Sequence, residues 1–408
     1  MEGLSLKSAN EDDTKRENAN IDGNSAMGTM LQYGSTVSKE FAKAYLMKKK
    51  FSLAHDEGDI HIHDMDFLAM GTTTCMQIEL DKLFEKGFST GHGHLRTPAS
   101  IGSYSALAAI AIQSNQNDQH GGQSIPAFDY YLAPGVLKTF KKEFKQQIYD
   151  LLDFQDLLPF INMDRIAKEI DKLKGIEFDI TKFQSFYSDS EQIKRLFVMS
   201  YEKALAKTNR QTYQAMEAFI HNLNTMHSRA GAQVPFSSIN FGTDTSPEGR
   251  MVMKNYLLSV DAGLGKSETP IFPISIFKVK EGVNYNKEDP NYDLFRLSCE
   301  VSAKRLFPNF SFLDSPFNKM FYKGDYNTEV CYMGCRTRVM ANVVDENKAV
   351  TPGRGNLSFT SINLPRLGIK HGIALGERDK ADMKAFYQEL DETMDLVKNQ
   401  LLQRFECQ

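Results

Sequence analysis

The stretch CYMGCRTRVMANVVDENKAVTPGRGN, residues 331–356, sets Cys331 and Cys335 four apart. Gly334 permits a tight bend before Cys335, and Arg336 and Arg338 after it would lower a thiol pKa and favour thiolate. The pattern leaves several roles open for Cys335: metal ligand, half of a disulfide, nucleophile, radical carrier, or a small buried hydrophobe. Cys331 would stand one turn away in a helix, but the glycines and β-branched residues around it argue against one. A second candidate is GDIHIHDMDF, where apolar and polar residues alternate from Asp59 to Phe67 as in a strand. In a strand Asp59, His61 and His63 share one face, and Asp64 and Asp66 the other. Two imidazoles on one face could hold a metal or relay protons. No third ligand is evident, and the plain alternative is a polar strand end. TTTC then brings in Cys75. SRAGAQVPFSSIN offers Arg229, Gly231 and two serines at a strand start, and GRGN offers an arginine among glycines. Either could touch phosphate or simply pack a loop, and no Walker motif or G-x-G-x-x-G is present.

These residues need elements to position them. Residues 1–24 read as a polar linker or the edge of something upstream. Residues 25–51 suit a helical pair broken at a glycine. A helix over 98–118 is capped by Ser100, and its alanines suggest close helix packing. Gly121–Ser124, GGQS, reads as a turn, and residues 136–230 carry long helical periodicity. Strands are predicted from Gln233, Pro270, Pro308 and Gly355, separated by helical segments such as NYDLFRLSCEVSAKRLF. That alternation predicts an α/β protein with a parallel sheet or barrel, 25–408 forming one domain. The last residues, LLQRFECQ, fall in a strong helical pattern with no glycine cap or proline stop, so the natural chain is expected to continue.

Composition narrows the function classes. The 408 residues are 41% hydrophobic and 25% charged, with a net charge of -4. There is no basic face for nucleic acid and no acidic tail. No apolar run approaches the ~20 residues of a membrane span, and the polar N-terminus lacks a signal-peptide core, so the cytosol is the expected location. Five cysteines, an odd number in a long chain, argue against a disulfide framework. No C-x-x-C pair supports structural zinc.

Taken together, GDIHIHDMDF, TTTC, HGGQS, SRAGAQVPFSSIN, MGCRTRV and GRGNLSFTSINLPR resemble the anaerobic (class III) ribonucleoside-triphosphate reductases, in order and spacing from about Glu17 to the end. The resemblance implies part of a ten-stranded α/β barrel with a finger loop carrying Cys335 as a transient thiyl radical. It implies that Cys75 supplies a hydrogen atom during reduction at the ribose 2′ position. Asn356 matches the asparagine that stands where aerobic relatives carry a glutamate base, with formate as reductant. Met333 lines the site, and His61 and His63 are candidates for proton relay or formate placement. Ser100 would contact a dNTP or ATP effector at a dimer helix. The implied partners are ribonucleoside triphosphates, effector nucleotides, a radical S-adenosylmethionine activase with a [4Fe–4S] cluster, and a second copy of the chain. No membrane or nucleic acid is expected.

Parts of the family pattern do not occur in this sequence. There is no room for the N-terminal ATP cone, and neither the four-cysteine zinc site nor the Arg-Val-Cys-Gly-Tyr-like glycyl-radical motif is present. The expectation is a fragment unable to turn over alone. The alternatives are a split reductase, a non-catalytic nucleotide-binding remnant, a pyruvate formate-lyase-like enzyme, or a zinc or redox protein using Cys331 and Cys335. A dithiol reductant stays open because Cys331 could join a disulfide.

Overall fold

A computed structural model describes residues 25–187, 190–229, 233–334 and 337–407. Its strands are β1 (Ile60–Ile62), β2 (Cys75–Gln77), β3 (Phe88–Ser89), β4 (His94–Leu95), β5 (Gln123–Ile125) and β6 (Ser237–Phe241), followed by β7 (Ile274–Val279), β8 (Asn309–Phe312), β9 (Cys331–Met333), β10 (Thr337–Val339), β11 (Gly355–Asn356) and β12 (Thr360–Ile362). The longer helices are α1 (Ala26–Phe41), α2 (Lys49–Asp56), α3 (Leu80–Lys86), α4 (Ile101–Asn115), α5 (Phe128–Phe154) and α6 (Met163–Asp171), then α7 (Glu191–Thr225), α8 (Pro247–Ala262), α9 (Tyr292–Arg305), α10 (Leu364–His371) and α11 (Met383–Cys407).

The principal sheet has the order β11-β2-β5-β6-β7-β8. Its strands run parallel from β2 to β8, and β11 joins antiparallel to β2. Parallel neighbours need a crossover, and helices supply each one: α3 and α4, then α5 to α7, then α8, then α9. The predicted α/β class with a parallel sheet holds. The sheet is a curled, mixed half-barrel. Alternation along its strands sorts the two faces. Ile125, Ile239, Phe241 and Phe277 join Phe128, Phe140, Phe219 and Tyr256 of the helices in the main core. The opposite face carries Ser124, Ser238, Asn240 and Lys278, all buried.

A second core joins both ends of the described chain. Phe51, Ile60, Ile62, Met65 and Leu68 pack with Val397 of α11. Here β1 pairs antiparallel with β12.

Several local expectations need correction. The strand predicted over Asp59–Phe67 stops at Ile62. Asp64 turns left-handed at φ 49 and a 3-10 helix follows over Met65–Met70, so Asp64 and Asp66 share no strand face. Gly34 does not break the first helix, which runs through it to Phe41. The break comes after a π-helical turn, Ala42–Leu46. GGQS is not only a turn, since Gln123 and Ser124 begin the buried strand β5. Residues 1–24 lie outside the described residues.

Candidate functional site

Strands β9 and β10 form an antiparallel hairpin, with Met333 opposite Thr337 and Cys331 opposite Val339. Residues 335 and 336, and with them Cys335, lie outside the described residues. The hairpin lies on the polar face of the sheet. The Tyr332 carbonyl accepts from Asn240 Nδ2 at 2.8 Å, Ser124 Oγ at 3.0 Å and Gln77 Nε2 at 3.5 Å. Tyr332 N donates back to Asn240 Oδ1 at 2.9 Å, and Gly334 N donates to Ser238 Oγ at 3.2 Å. These clamps explain why a nearly continuous run of buried strand residues includes serines and an amide. A buried hairpin backbone needs partners, and inward side chains supply them.

Cys75 opens β2 and is 6% exposed. It packs with Met333, itself fully buried, and Val339. Gly122 N donates to Cys75 Sγ at 3.3 Å. A Cβ on Gly122 would stand 3.0 Å from Gly334 Cα and 3.1 Å from Phe236 Cδ1. Only glycine allows strand β5 and the hairpin to approach this closely. Asn356 is the register partner of Cys75 across β2 and β11. Cys75, Met333 and Asn356, far apart in sequence, are therefore assembled around one strand end.

Cys331 sits at the root of the hairpin, its thiol donating to Pro126 O at 3.2 Å. Burial pushes its pKa up to about 11, against the lowering effect of nearby Lys278. It is held as a thiol in ordinary conditions.

His61 and His63 stand on and just after β1, which pairs with β12 in a sheet of its own. Their rings meet edge to face at 4.6 Å, and His55 of α2 lies 5.2 Å from His61. His63 Nε2 is 2.8 Å from Ser361 Oγ, and burial followed by the charge of His61 holds its pKa below the usual value. Among the described residues no group of three or more His, Cys, Asp or Glu could hold a metal. Arg229 donates through Nη2 to His120 O at 2.7 Å.

Ser100 caps α4 as predicted. Its side chain accepts from Ser103 N, and Ser103 returns a bond to the Ser100 backbone, a complete capping box. Ser100 also borders a hollow between α4 and α7, lined by Gly102, Ala106, Gln214, Ala218 and Asn222 among others.

Sequence reading missed His120 and Arg404. His120 stacks on Phe67 at 4.9 Å, and its Nδ1 lies 2.6 Å from Thr72 Oγ1. Arg404 of α11 is 2% exposed and donates to His63 O at 2.6 Å and Asp64 O at 3.2 Å. The clamping role of Gln77, Ser124, Ser238 and Asn240 was also missed, although the two serines of SSIN stood among the candidates for phosphate contact. Only β6 carried a signal for it, with Ser238 and Asn240 alternating with Ile239 and Phe241.

Known proteins resemble this chain in sequence and in fold. The family profile of anaerobic ribonucleoside-triphosphate reductase matches residues 17–408. The Escherichia coli K12 anaerobic ribonucleoside-triphosphate reductase is 28% identical over 390 residues, covering 95% of this chain and 46% of the relative. The bacteriophage T4 enzyme is 30% identical over 401 residues, covering 96% of this chain and 56% of its own. The chain thus spans about half the length of the curated relatives it matches. The crystal structure of the Thermotoga maritima anaerobic ribonucleotide reductase with dATP and CTP superposes with a TM-score of 0.57 at 14% identity, over 97% of this chain and 56% of that one. A second Thermotoga maritima structure, with dATP in its specificity site, gives a TM-score of 0.54 at 14% identity, over 94% of this chain and 54% of that one. No described helix is long and apolar enough to cross a membrane. With the family profile matched over residues 17–408, this chain belongs to the anaerobic ribonucleoside-triphosphate reductase family.

Proposed function

We propose that this chain supplies the substrate-facing half of a reductase that converts ribonucleoside triphosphates to deoxyribonucleoside triphosphates without oxygen. The observation that carries the reading is the pairing of Cys75 with Asn356 beneath the hairpin that brackets Cys335. In this reading the Cys335 thiyl takes the ribose 3′ hydrogen atom. That weakens the 2′ C–O bond, and the 2′ hydroxyl leaves as water once protonated. Cys75 then gives a hydrogen atom to C2′, and the 3′ hydrogen returns from Cys335. Formate closes the balance: formate, a proton and the ribonucleotide give carbon dioxide, the deoxyribonucleotide and water. Asn356 offers an amide that bonds ribose hydroxyls or formate without adding a repelling charge. Met333 and Val339 keep water from the Cys75 sulfur, which favours radical over ionic chemistry. The polar clamps hold the hairpin so that the approach geometry is fixed before substrate arrives.

A glycyl radical, generated by a [4Fe–4S] S-adenosylmethionine activase, supplies the hydrogen-abstracting equivalent in such enzymes. The apolar packing around Cys75 and the tight Gly122–Gly334 approach fit a site sheltered for it. Effector dNTP or ATP at Ser100, a homodimer and a cytosolic location complete the proposal. The test is anaerobic turnover of CTP by this chain with activase, formate and a polypeptide bearing the glycyl radical. Expected are dCTP and one carbon dioxide per dCTP, both abolished by Cys335→Ala. Nucleotide binding without any dCTP in the complete mixture would favour the non-catalytic remnant instead, and a functioning Cys335→Ala variant would refute the reading.

A further inference from the structure

The root of the hairpin holds buried charges that the proposed chemistry does not use. Lys278 of β7 is 1% exposed at its side chain and Glu329, two residues before β9, is 2% exposed. Lys278 Nζ meets Glu329 Oε2 at 3.0 Å, and Lys280 Nζ lies 3.5 Å from Oε1. Thr243 Oγ1 donates to the same Oε2 at 2.9 Å. The backbone is gripped too: Thr351 Oγ1 donates to Glu329 O at 2.7 Å. Behind the pair, Asp129 is fully buried and its Oδ2 accepts from the backbone N–H groups of Gly242, Thr243 and Asp244 at 2.8, 3.1 and 3.1 Å. Burial works to lower the Lys278 pKa, but the carboxylates of Glu329 and Asp129 beside it more than offset it, so the Lys278 pKa is raised.

A buried ion pair contributes little net stability, because desolvation consumes most of the attraction. Its strength lies in register. A slip of the hairpin along the sheet would separate Glu329 from Lys278 and leave two uncompensated charges in the interior. A one-residue slip would also turn Met333 away from Cys75. The neutral clamps on Tyr332 and Gly334 are weaker locks, since each neutral hydrogen bond is replaceable by another nearby polar group.

We propose that Lys278 and Glu329 are positioning residues that fix how far the β9–β10 hairpin reaches over Cys75. The consequence for catalysis rests on the reductase reading, whereas the register does not. The test is hydrogen exchange of the hairpin in the full chain, read by mass spectrometry over residues 329–340, with the unfolding midpoint measured beside it. The double variant Lys278→Met/Glu329→Met replaces the pair with apolar groups of similar size. It is expected to unfold near the wild-type midpoint, yet to exchange the Tyr332 and Gly334 amides about tenfold faster or more. Unchanged exchange in that variant overturns the proposal. If the double variant does not fold, Glu329→Gln serves, because it keeps an acceptor for Thr243 and loses only the charge. A smaller acceleration is expected there, and none overturns the proposal. Exchange needs neither nucleotide nor radical, so a chain that makes no deoxynucleotide yet shows the acceleration refutes the reductase reading alone.

Discussion

Cys75 and Asn356 stand directly opposite each other across the one antiparallel join of the six-stranded sheet, and Thr74 N donates to Asn356 O at 2.9 Å. The edge strand β11 therefore does more than end the sheet. It carries an amide to the same strand end as a buried thiol, and backbone bonds hold the two in register. The backbone that carries the amide is thereby fixed before any ligand binds.

Asn356 can be tested by charge as well as by size. Asn356→Ala removes the amide and is expected to lower deoxynucleotide formation by about 10²-fold, the usual loss for one positioned hydrogen-bond donor. Asn356→Asp keeps the size but adds a negative charge where formate must sit. Its expected signature is a raised formate KM with nucleotide binding retained. Equal formate KM values in Asn356→Asp and wild type would remove Asn356 from formate handling.

Ser100 has a structural duty whatever its role toward effectors. Ser100→Ala is expected to cost about 1 kcal/mol of stability through the lost cap. Ser100→Asp preserves the cap, since aspartate suits a helix N-terminus and its dipole. The same aspartate would repel a phosphate. Denaturation and dNTP titration of both variants separate the roles: Ser100→Asp is expected to match wild-type stability and to bind dNTP more weakly. Wild-type affinity in Ser100→Asp would leave Ser100 as a cap only.

Two glycine-to-alanine changes should act in opposite directions. In Gly122→Ala the new methyl meets Gly334 Cα at 3.0 Å and Phe236 Cδ1 at 3.1 Å. Overpacking of this kind costs about 1–3 kcal/mol. In Gly34→Ala nothing lies within 4 Å, and the site is inside α1. Alanine there should stabilise by about 0.5–1 kcal/mol. Urea midpoints of the two variants check both signs.

The sequence made the fold class and the long elements readable, because α5 and α7 carry helical periodicity, α4 shows its Ser100 cap and its alanines, and β6 to β8 are short apolar runs between helical segments. Cys75, Met333 and Asn356 were readable only through resemblance, since nothing local in TTTC or GRGN says that they meet. Two kinds of feature were lost. Strands of two or three residues, such as β2, β5 and β11, are shorter than any period that can announce them. Long-range polar partners, such as Arg404 with His63 and His120, depend on where α11 docks, which no local pattern encodes. The strand expected over Asp59–Phe67 failed for a related reason: alternation continues past Ile62, but Asp64 takes a left-handed turn that feeds its carbonyl to Arg404.

His120 and Arg404 give the molecule a predicted acid sensitivity. Arg404 has donors only, so its Nη2 at 3.5 Å from His120 Nε2 assigns the lone pair to Nε2 and the proton to Nδ1, which donates to Thr72 Oγ1. Burial first, and then the charges of Arg404 and Arg229, lower the His120 pKa from 6.5 to about 4. The unfolded chain thus binds a proton between these values that the folded chain refuses. Stability linked to His120 is complete above pH 6.5 and is lost as pH falls toward 4. Asp244 works the other way: burial and then Asp129 raise its pKa from 3.8 to about 6, so its share of stability grows as pH falls through that window. The wild-type profile alone therefore mixes the two. The difference in unfolding midpoint between wild type and His120→Gln isolates the histidine. Relative to wild type, the variant should gain as pH falls from 6.5 to 4. Arg404→Met should raise the His120 pKa, because one of the two cations that hold it down is gone, and imidazole resonances followed by NMR would report the shift. A His120 pKa unmoved in Arg404→Met would mean that burial and Arg229 set it, and that α11 does not tune the histidine on which Phe67 stacks.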